Sequence, residues 1–302
     1  MSRRQEDRFS GHESFVCRYG WLPKIYRAVE GDSQIFRHEL EAMHVLGLGR
    51  NMVKSIQFWG EASGVIESDG AGGYRGGPIG YLLFGVEGWD PHLETLESLW
   101  LVHWWLSTQA SLAAWHEVFS VGRLQRFDKR QLIDLLARRG QFNARALASS
   151  TLEQHAGILL QSYYQEERSN DDTSWCPLQD LGLLRASRSE DGRVSYTATN
   201  RAPMGLTARV FAVALAQFAE QRSALGQLVS FSDALRGQHS PGSVFKMDEA
   251  AVRHFIEAAL SGPLKGALRF NDTADTQTLV LNLEKVDPLL RIRTASEAVT
   301  NG

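Results

Sequence analysis

The sequence predicts a mainly α-helical protein with small β-hairpins, arranged as two or three winged-helix-like units around a central apolar helical segment. Three observations carry that prediction. Residues 46–66, LGLGRNMVKSIQFWGEASGVI, read as the tight turn and second helix of a helix-turn-helix, with a glycine-rich hairpin behind it. A helix so apolar that it must be buried follows Trp89-Asp90-Pro91. Around Asp191-Gly192 the order helix, short turn, hairpin returns, and Asp-Gly is a strong hairpin-turn signal.

At 302 residues the chain has room for several small domains, and 43% hydrophobic with 22% charged residues is the composition of a soluble globular protein. No apolar run nears the roughly 20 residues that span a bilayer. The start, MSRRQEDRFSGHE, lacks the apolar stretch of a signal peptide. Cys17 and Cys176 stand far apart without a CxxC, so neither a disulfide framework nor a zinc site is expected, and the protein is placed in the cytoplasm. A net charge of −3 excludes a body coated in positive charge but not a local basic patch. The P-loop, the dinucleotide fingerprint, GxSxG and HExxH are all missing, so no organic cofactor is expected.

Taken in order, residues 9–24, FSGHESFVCRYGWLPK, form an N-terminal arm. Gly11, Gly20 and Pro23 break regular structure there, and Phe9, Phe15, Tyr19 and Trp21 anchor it. Its polar groups, His12, Glu13, Arg18 and Lys24, are either caps and salt bridges or groups set beside a phosphate. A helix is expected from about 34 to 46, with Ile35, Leu40, Met43 and Leu46 inward. Gly47 and Gly49 then turn the chain. In the following helix Met52, Val53, Ile56, Trp59 and Ser63 share an apolar face, while Arg50, Asn51, Lys54, Gln57, Phe58 and Glu61 take the other. Two cations in a first helical turn oppose the helix dipole, so folding alone would not choose them. A phosphate backbone would, and Asn or Gln can reach base edges. On this helix alone, the plainer alternative of a core helix with a solvated face stays open.

Residues 64–67 and 79–84 read as two strands, with Tyr74 and Arg75 at the tip of a wing. Asp90 is expected to cap, and Pro91 to begin, a helix with Leu93, Leu96, Trp100, His103, Trp104 and Ser107 along one side. His103 reads as a hydrogen-bonded core histidine. Glu94 and Glu97 suit a helix N-terminus, and with Asp90 they also form a candidate metal-binding set. Next come seven cations, Arg123, Arg126, Lys129, Arg130, Arg138, Arg139 and Arg145, against Asp128 and Asp134. A helical salt ladder absorbs only part of that excess, and the remainder suits phosphate tracking.

Ser150 or Thr151 is expected to cap a helix, and a polar loop covers 165–173. A hairpin pairs 183–187 with 193–197 and carries Arg185, Arg188 and Arg193. A long helix over 207–219, a helix over 250–260 capped by Asp248, and a hairpin from 267–270 and 278–283 complete the chain. The expected domains are 1–85, an arm plus a winged-helix-like unit; 86–145, a helical linker with the basic patch; 146–202, a second winged-helix-like unit; and 203–302, a helical or winged-helix-like unit.

These features point to double-stranded DNA as partner. Candidate DNA-binding residues are Arg18, Lys24, Arg50, Asn51, Lys54, Gln57, Arg75, Arg126, Lys129 and Arg130. Phosphodiester cleavage needs few fixed residues: carboxylates that hold Mg²⁺ or Mn²⁺, and cations that steady the developing charge. Glu13, Asp90 and Glu94 are the candidate catalytic carboxylates, and His12 is the candidate proton-transfer group.

Four stretches in order, FSGHESFVCRYGWLPK, LGLGRNMVKSIQFWGEASGVI, DPHLETLESLWLVHWWL and SPGSVFKMDE, resemble the SspB-type proteins of single-strand DNA phosphorothioation defence systems. The resemblance runs from Phe9 to about Leu283. It implies a cytoplasmic DNA-binding protein that nicks one strand so that sulfur can be inserted. The partners it implies are a cysteine desulfurase, an ATPase and a PAPS-reductase-like enzyme. It carries over no catalytic residue set. Residues 271–275 depart from the more apolar turn expected there. The alternative functions are a non-catalytic DNA-binding or transcription-regulating protein and an interaction scaffold without DNA contact.

Overall fold

A computed structural model describes residues 6–121, 124–143, 146–164, 175–198, 203–222, 228–273 and 276–292. The chain forms two compact units, the first from 1–117 and 126–197, the second from 118–125 and 198–302. Among the described residues no helix is long and apolar enough to cross a membrane. Arg123, Arg145, the loop 165–173 and the final tail lie outside the described residues.

The first unit opens with α1 (Trp21–Gly31), α2 (Glu39–Leu46) and α3 (Arg50–Ala62), followed by β1 (Ile66–Ser68), β2 (Tyr74–Gly76) and α4 (Pro78–Phe84). α1 replaces the end of the expected arm. Trp21, Leu22, Ile25, Tyr26 and Val29 are its buried stripe, and Pro23 sits in the first turn, where its missing N–H costs nothing. The helix expected over 34–46 is a single 3-10 turn (Ile35–Arg37) and then α2, on which Leu40 is 78% exposed rather than inward. Gly47 closes α2 at φ 61, the left-handed turn its position predicts.

Residues 79–84 are helical, not a strand. Gly77 precedes Pro78 at the helix start, and a short apolar run such as IGYLLF suits a buried helix as well as a strand. The hairpin is therefore β1 with β2, in the register Glu67↔Arg75. Tyr74 and Arg75 lie within β2, not at a wing tip.

α5 (Leu96–Thr108) is buried along its whole length from Ser98 to Ser107, as its composition demands. Its N-cap is Thr95, whose hydroxyl accepts from the Ser98 N–H at 3.3 Å; Asp90 is not the cap. Gly64, at φ 70, passes so close to α5 that an added Cβ would sit 2.5 Å from the Trp105 ring. His103 is the core histidine expected: its Nδ1 is 2.7 Å from the Tyr163 hydroxyl, which also accepts from Trp115 Nε1 at 3.0 Å.

After α6 (Ala113–Trp115) come β3 (Arg126–Phe127), α7 (Lys129–Gly140), α8 (Ser149–Tyr163), β4 (Leu184–Arg188) and β5 (Val194–Ala198). Asp128 and Gln131 make a reciprocal capping box on α7. Gly192 takes φ 80 in the expected turn between β4 and β5, and β3 adds to the far side, giving the order β3-β5-β4.

The second unit holds α9 (Ala208–Arg222), β6 (Leu228–Ser230), α10 (Phe231–Arg236), α11 (Pro241–Val244), α12 (Glu249–Ser261), β7 (Leu268–Asp272) and β8 (Gln277–Leu281). Asp248 caps α12 as predicted, accepting from the Ala251 N–H at 2.8 Å. Its sheet order, β6-β8-β7, matches that of the first unit's β3-β5-β4 sheet: a short strand, helices, then a hairpin whose second strand takes the first strand as neighbour.

Candidate nucleic-acid interface

Four first-unit cations, Lys24, Arg27, Arg50 and Lys54, lie on α1 and the first turns of α3, the helices on either side of α2. α1 buries one stripe, and Lys24 and Arg27 fall three apart on its exposed side. Lys24 Nζ donates to the Leu46 carbonyl at 3.2 Å. That carbonyl ends α2, where helices leave oxygens unsatisfied and favour cations. Arg27 donates to the Pro91 carbonyl at 3.1 Å, and its Nη2 lies 3.4 Å from His92 Nδ1. An arginine can only donate, so Nδ1 is the acceptor and neutral His92 carries its proton on Nε2.

Between these elements lies an open groove of about 590 Å³, with Tyr19, Lys24, Arg27, Leu46, His92 and Glu94 on its walls. It brings together Lys24 and Glu94, two residues singled out in the sequence for different reasons. Asp90 braces the loop that bears Glu94. Its carboxylate accepts from the backbone N–H groups of Glu94 (3.0 Å) and Thr95 (2.8 Å) and from Thr95 Oγ1 (2.8 Å). Burial disfavours charged Asp90, but these bonds and one with Ser98 outweigh it and hold the carboxyl below its ordinary pKa. Asp90 thus closes the loop that carries His92 and Glu94.

On α3, Arg50, Asn51 and Lys54 are exposed, as their helical positions predict. Arg50 Nε meets Glu39 at 2.6 Å, with both side chains largely in solvent. Such a pair contributes only about 0–1 kcal/mol and exchanges easily for a phosphate. Two residues assigned to that face are placed elsewhere. Phe58 is buried, edge-on to Trp59 and beneath the Arg8 guanidinium. Gln57 is half-buried and donates to the Tyr74 hydroxyl (2.7 Å) and to Glu61 (3.3 Å), while Tyr74 itself donates to Glu61 (2.8 Å). Arg75 is paired across the strands with Glu67 at 2.8–2.9 Å. Arg18 lies over the Phe15 and Trp21 rings.

Of the basic segment, Lys129, Arg130 and Arg138 are exposed on α7, and Arg126 is exposed while donating to Ser195 Oγ at 3.1 Å. Arg139 is structural: it bridges Asp7 (2.8 Å) and Glu117 (3.0 Å).

The His12–Glu13 arm lies in a different setting. Glu13 and Ser14 take left-handed φ values of 48° and 64° in a turn, with Glu13 exposed and His12 only 1% exposed. His12 lies parallel to His155 of α8, Nε2 to Nδ1 at 3.4 Å, among Phe9, Phe58 and Trp115. The Ala114 N–H donates to His155 Nε2 at 3.1 Å, which puts the His155 proton on Nδ1, facing His12. Burial lowers the pKa of His12 to about 4, and burial with the neighbouring His12 lowers that of His155 to about 3. Both rings are neutral near pH 7. Among the described residues no three of His, Cys, Asp and Glu are grouped to hold a metal ion.

Sequence reasoning missed Arg27, His92 and His155. Arg27 was findable, since Leu22, Ile25, Tyr26 and Val29 recur at helical spacing and put Arg27 beside Lys24 outside. His92 and His155 become significant only through partners 65 and 143 residues away, which no local pattern reveals.

A model of a family described as a protein of unknown function (DUF4007) matches residues 9–292. The comparison with curated proteins gives no match. Among solved structures, a magnesium ion-bound SspB crystal structure is similar with a TM-score of 0.80 and 23% identity, over 92% of this chain and 86% of that one. An SspB crystal structure is similar with a TM-score of 0.82 and 23% identity, over 98% of this chain and 89% of that one.

Proposed function

The chain belongs to the DUF4007 family of proteins of unknown function, and from that premise we propose that it is a DNA-binding protein of a phosphorothioation system that nicks one strand of double-stranded DNA. The observation that carries this reading is the groove between α1, α2 and the 91–94 loop, flanked by the exposed start of α3. Lys24, Arg27, Arg50 and Lys54 supply charge for phosphates, and Asn51 can reach a base edge. The shared order of strand, helices and hairpin in the two three-stranded sheets supports winged-helix units as the scaffold. Likeness to the SspB fold supports the assignment to a phosphorothioation system, with sulfur-handling enzymes as partners.

Within the groove Glu94 fits a divalent ion, because Mg²⁺ is commonly held by one or two carboxylates with waters and substrate phosphates completing its shell. Such an ion, when bound, would supply Lewis-acid polarisation of the phosphate and an activated water. Lys24 and Arg27 hold the strand in place, and the His92 Nε2–H can donate a hydrogen bond to a phosphate oxygen. Asp90 is a positioning residue, since its hydrogen bonds hold Glu94 on the groove wall.

The test is supercoiled plasmid with pure protein and Mg²⁺ or Mn²⁺. Open circles that EDTA suppresses and that Glu94→Gln abolishes, with gel-shift affinity retained, are expected. Plasmid that stays supercoiled while the gel shift persists removes the nicking step and leaves a non-catalytic binder. Absence of any shift overturns the DNA reading itself.

A further inference from the structure

The second unit holds a pocket of about 340 Å³ that the DNA reading of the first unit does not use. Its wall includes Lys246, from the SPGSVFKMDE stretch, which lies between α11 and α12. Lys246 is unusual twice over. Its side chain is 8% exposed, although lysine is among the residues least often buried. Its backbone takes φ 53, a left-handed conformation that an unbranched chain adopts at a cost and that glycine would relieve. Packing alone would favour an apolar side chain or a glycine here.

The ammonium donates to the Val118 carbonyl and lies 5.7 Å from the Phe119 ring centre. An ammonium has three N–H donors, and among the described residues this carbonyl is its one hydrogen-bond acceptor. The lining also includes Arg236 of α10, which is exposed and has no ion-pair partner among the described residues. Ser243 and Gln125 add neutral hydrogen-bonding groups to the wall. The two acids that also line the pocket are both engaged. Asp248 caps α12 through the Ala251 N–H, and Glu249 pairs with Arg253 at 3.3 Å. Gly242 makes room for this arrangement, since a Cβ there would stand 2.2 Å from the Leu235 carbonyl oxygen.

We propose that this pocket is an anion site that binds a phosphate group, with Lys246 and Arg236 as its charge partners and Ser243 and Gln125 as hydrogen-bonding wall groups. A phosphate supplies several strong acceptors for the N–H groups of Lys246, and the Arg236 guanidinium matches two phosphate oxygens at once. Burial lowers the Lys246 pKa to about 8, as befits a desolvated cation awaiting a counter-charge. The phosphate can belong to a free nucleotide or to the end of a nucleic-acid strand.

The experiment is calorimetric titration of the full chain with inorganic phosphate, thymidine 5′-monophosphate, thymidine, and hexathymidylate with and without a 5′-phosphate. Binding that requires the phosphate and weakens by about tenfold or more in Arg236→Gln and in Lys246→Met is expected. The affinity should also fall as pH rises through about 8, where Lys246 loses its proton; the other charged groups lining the pocket are Arg236, Asp248 and Glu249. Equal affinity of phosphorylated hexamer and monophosphate marks a free nucleotide as ligand, and a preference for the hexamer marks a strand end. Thymidine binding as tightly as its monophosphate overturns the proposal. So does affinity unchanged in Arg236→Gln, a surface variant that leaves the buried lysine in place. The same titrations in Arg50→Ala/Lys54→Ala keep this outcome separate from failure of the first-unit DNA reading.

Discussion

Mild acid should destabilise the first unit through two histidines. His12 and His155 are packed ring to ring in an apolar setting, with pKa values lowered from 6.5 to about 4 and about 3. A histidine whose folded pKa is depressed binds protons more readily when unfolded. Its contribution is therefore complete above pH 6.5 and is lost as pH falls from 6.5 toward the folded values. Each unit of proton linkage changes stability by about 1.4 kcal/mol per pH unit. Between about pH 7 and pH 5 each ring then costs about 2 kcal/mol and the pair about 4 kcal/mol, a large part of a domain's usual 5–15 kcal/mol. Urea unfolding followed by tryptophan fluorescence at both pH values measures this loss. In His155→Gln the loss should shrink by about 2 kcal/mol relative to wild type, because one titrating ring is gone. Proton NMR titration of the two imidazoles checks the folded pKa values independently. A His155→Gln protein that loses as much stability as wild type, or imidazoles that titrate near 6.5 in the folded protein, would refute the argument.

Other perturbations probe the interface and the core. Arg50→Ala with Lys54→Ala should flatten the plot of log affinity for duplex DNA against log salt, by about 0.9 for each phosphate no longer neutralised, as measured by fluorescence anisotropy. An unchanged slope removes α3 from the interface. Tyr163→Phe takes a buried hydrogen-bond partner from both Trp115 and His103, and should cost about 1–3 kcal/mol in chemical denaturation. Gly64→Ala combines a φ of 70 with a Cβ 2.5 Å from the Trp105 ring. It should destabilise by about 2–4 kcal/mol, read as a lowered urea midpoint at constant m.

Much of the fold is legible in the sequence where short-range rules act. Gly47 ends α2, Asp191-Gly192 turns β4 into β5, and Asp248 caps α12, because each is a local backbone requirement. The sequence misleads where tertiary context decides. IGYLLF suits either regular structure, and only Gly77-Pro78 ahead of it favours the helix. Phe58 follows polar residues in sequence yet turns inward, because the arm carrying His12 packs over that side of α3. At the interface, Lys24, Arg50, Asn51 and Lys54 are visible as exposed positions on helices. The role of Asp90 is not visible, since a carboxylate able to hold a metal reads the same as one that closes a turn.

The allotment of residues between the two units bears on how the chain can fold during synthesis. Residues 118–125 belong to the second unit, yet they precede 126–197 of the first. Their bonds are to distant sequence: the Ser120 carbonyl accepts from the His239 N–H, and the Val118 carbonyl from Lys246. A nascent chain that has reached Thr197 can complete the first unit, but it must carry this eight-residue bridge without its eventual neighbours. No single cut therefore separates the protein into the two units, and a chain ended near residue 200 lacks His239 and Lys246, the partners of the Ser120 and Val118 carbonyls. Swapping one unit for that of a relative therefore needs three junctions, at 117/118, 125/126 and 197/198, in place of one.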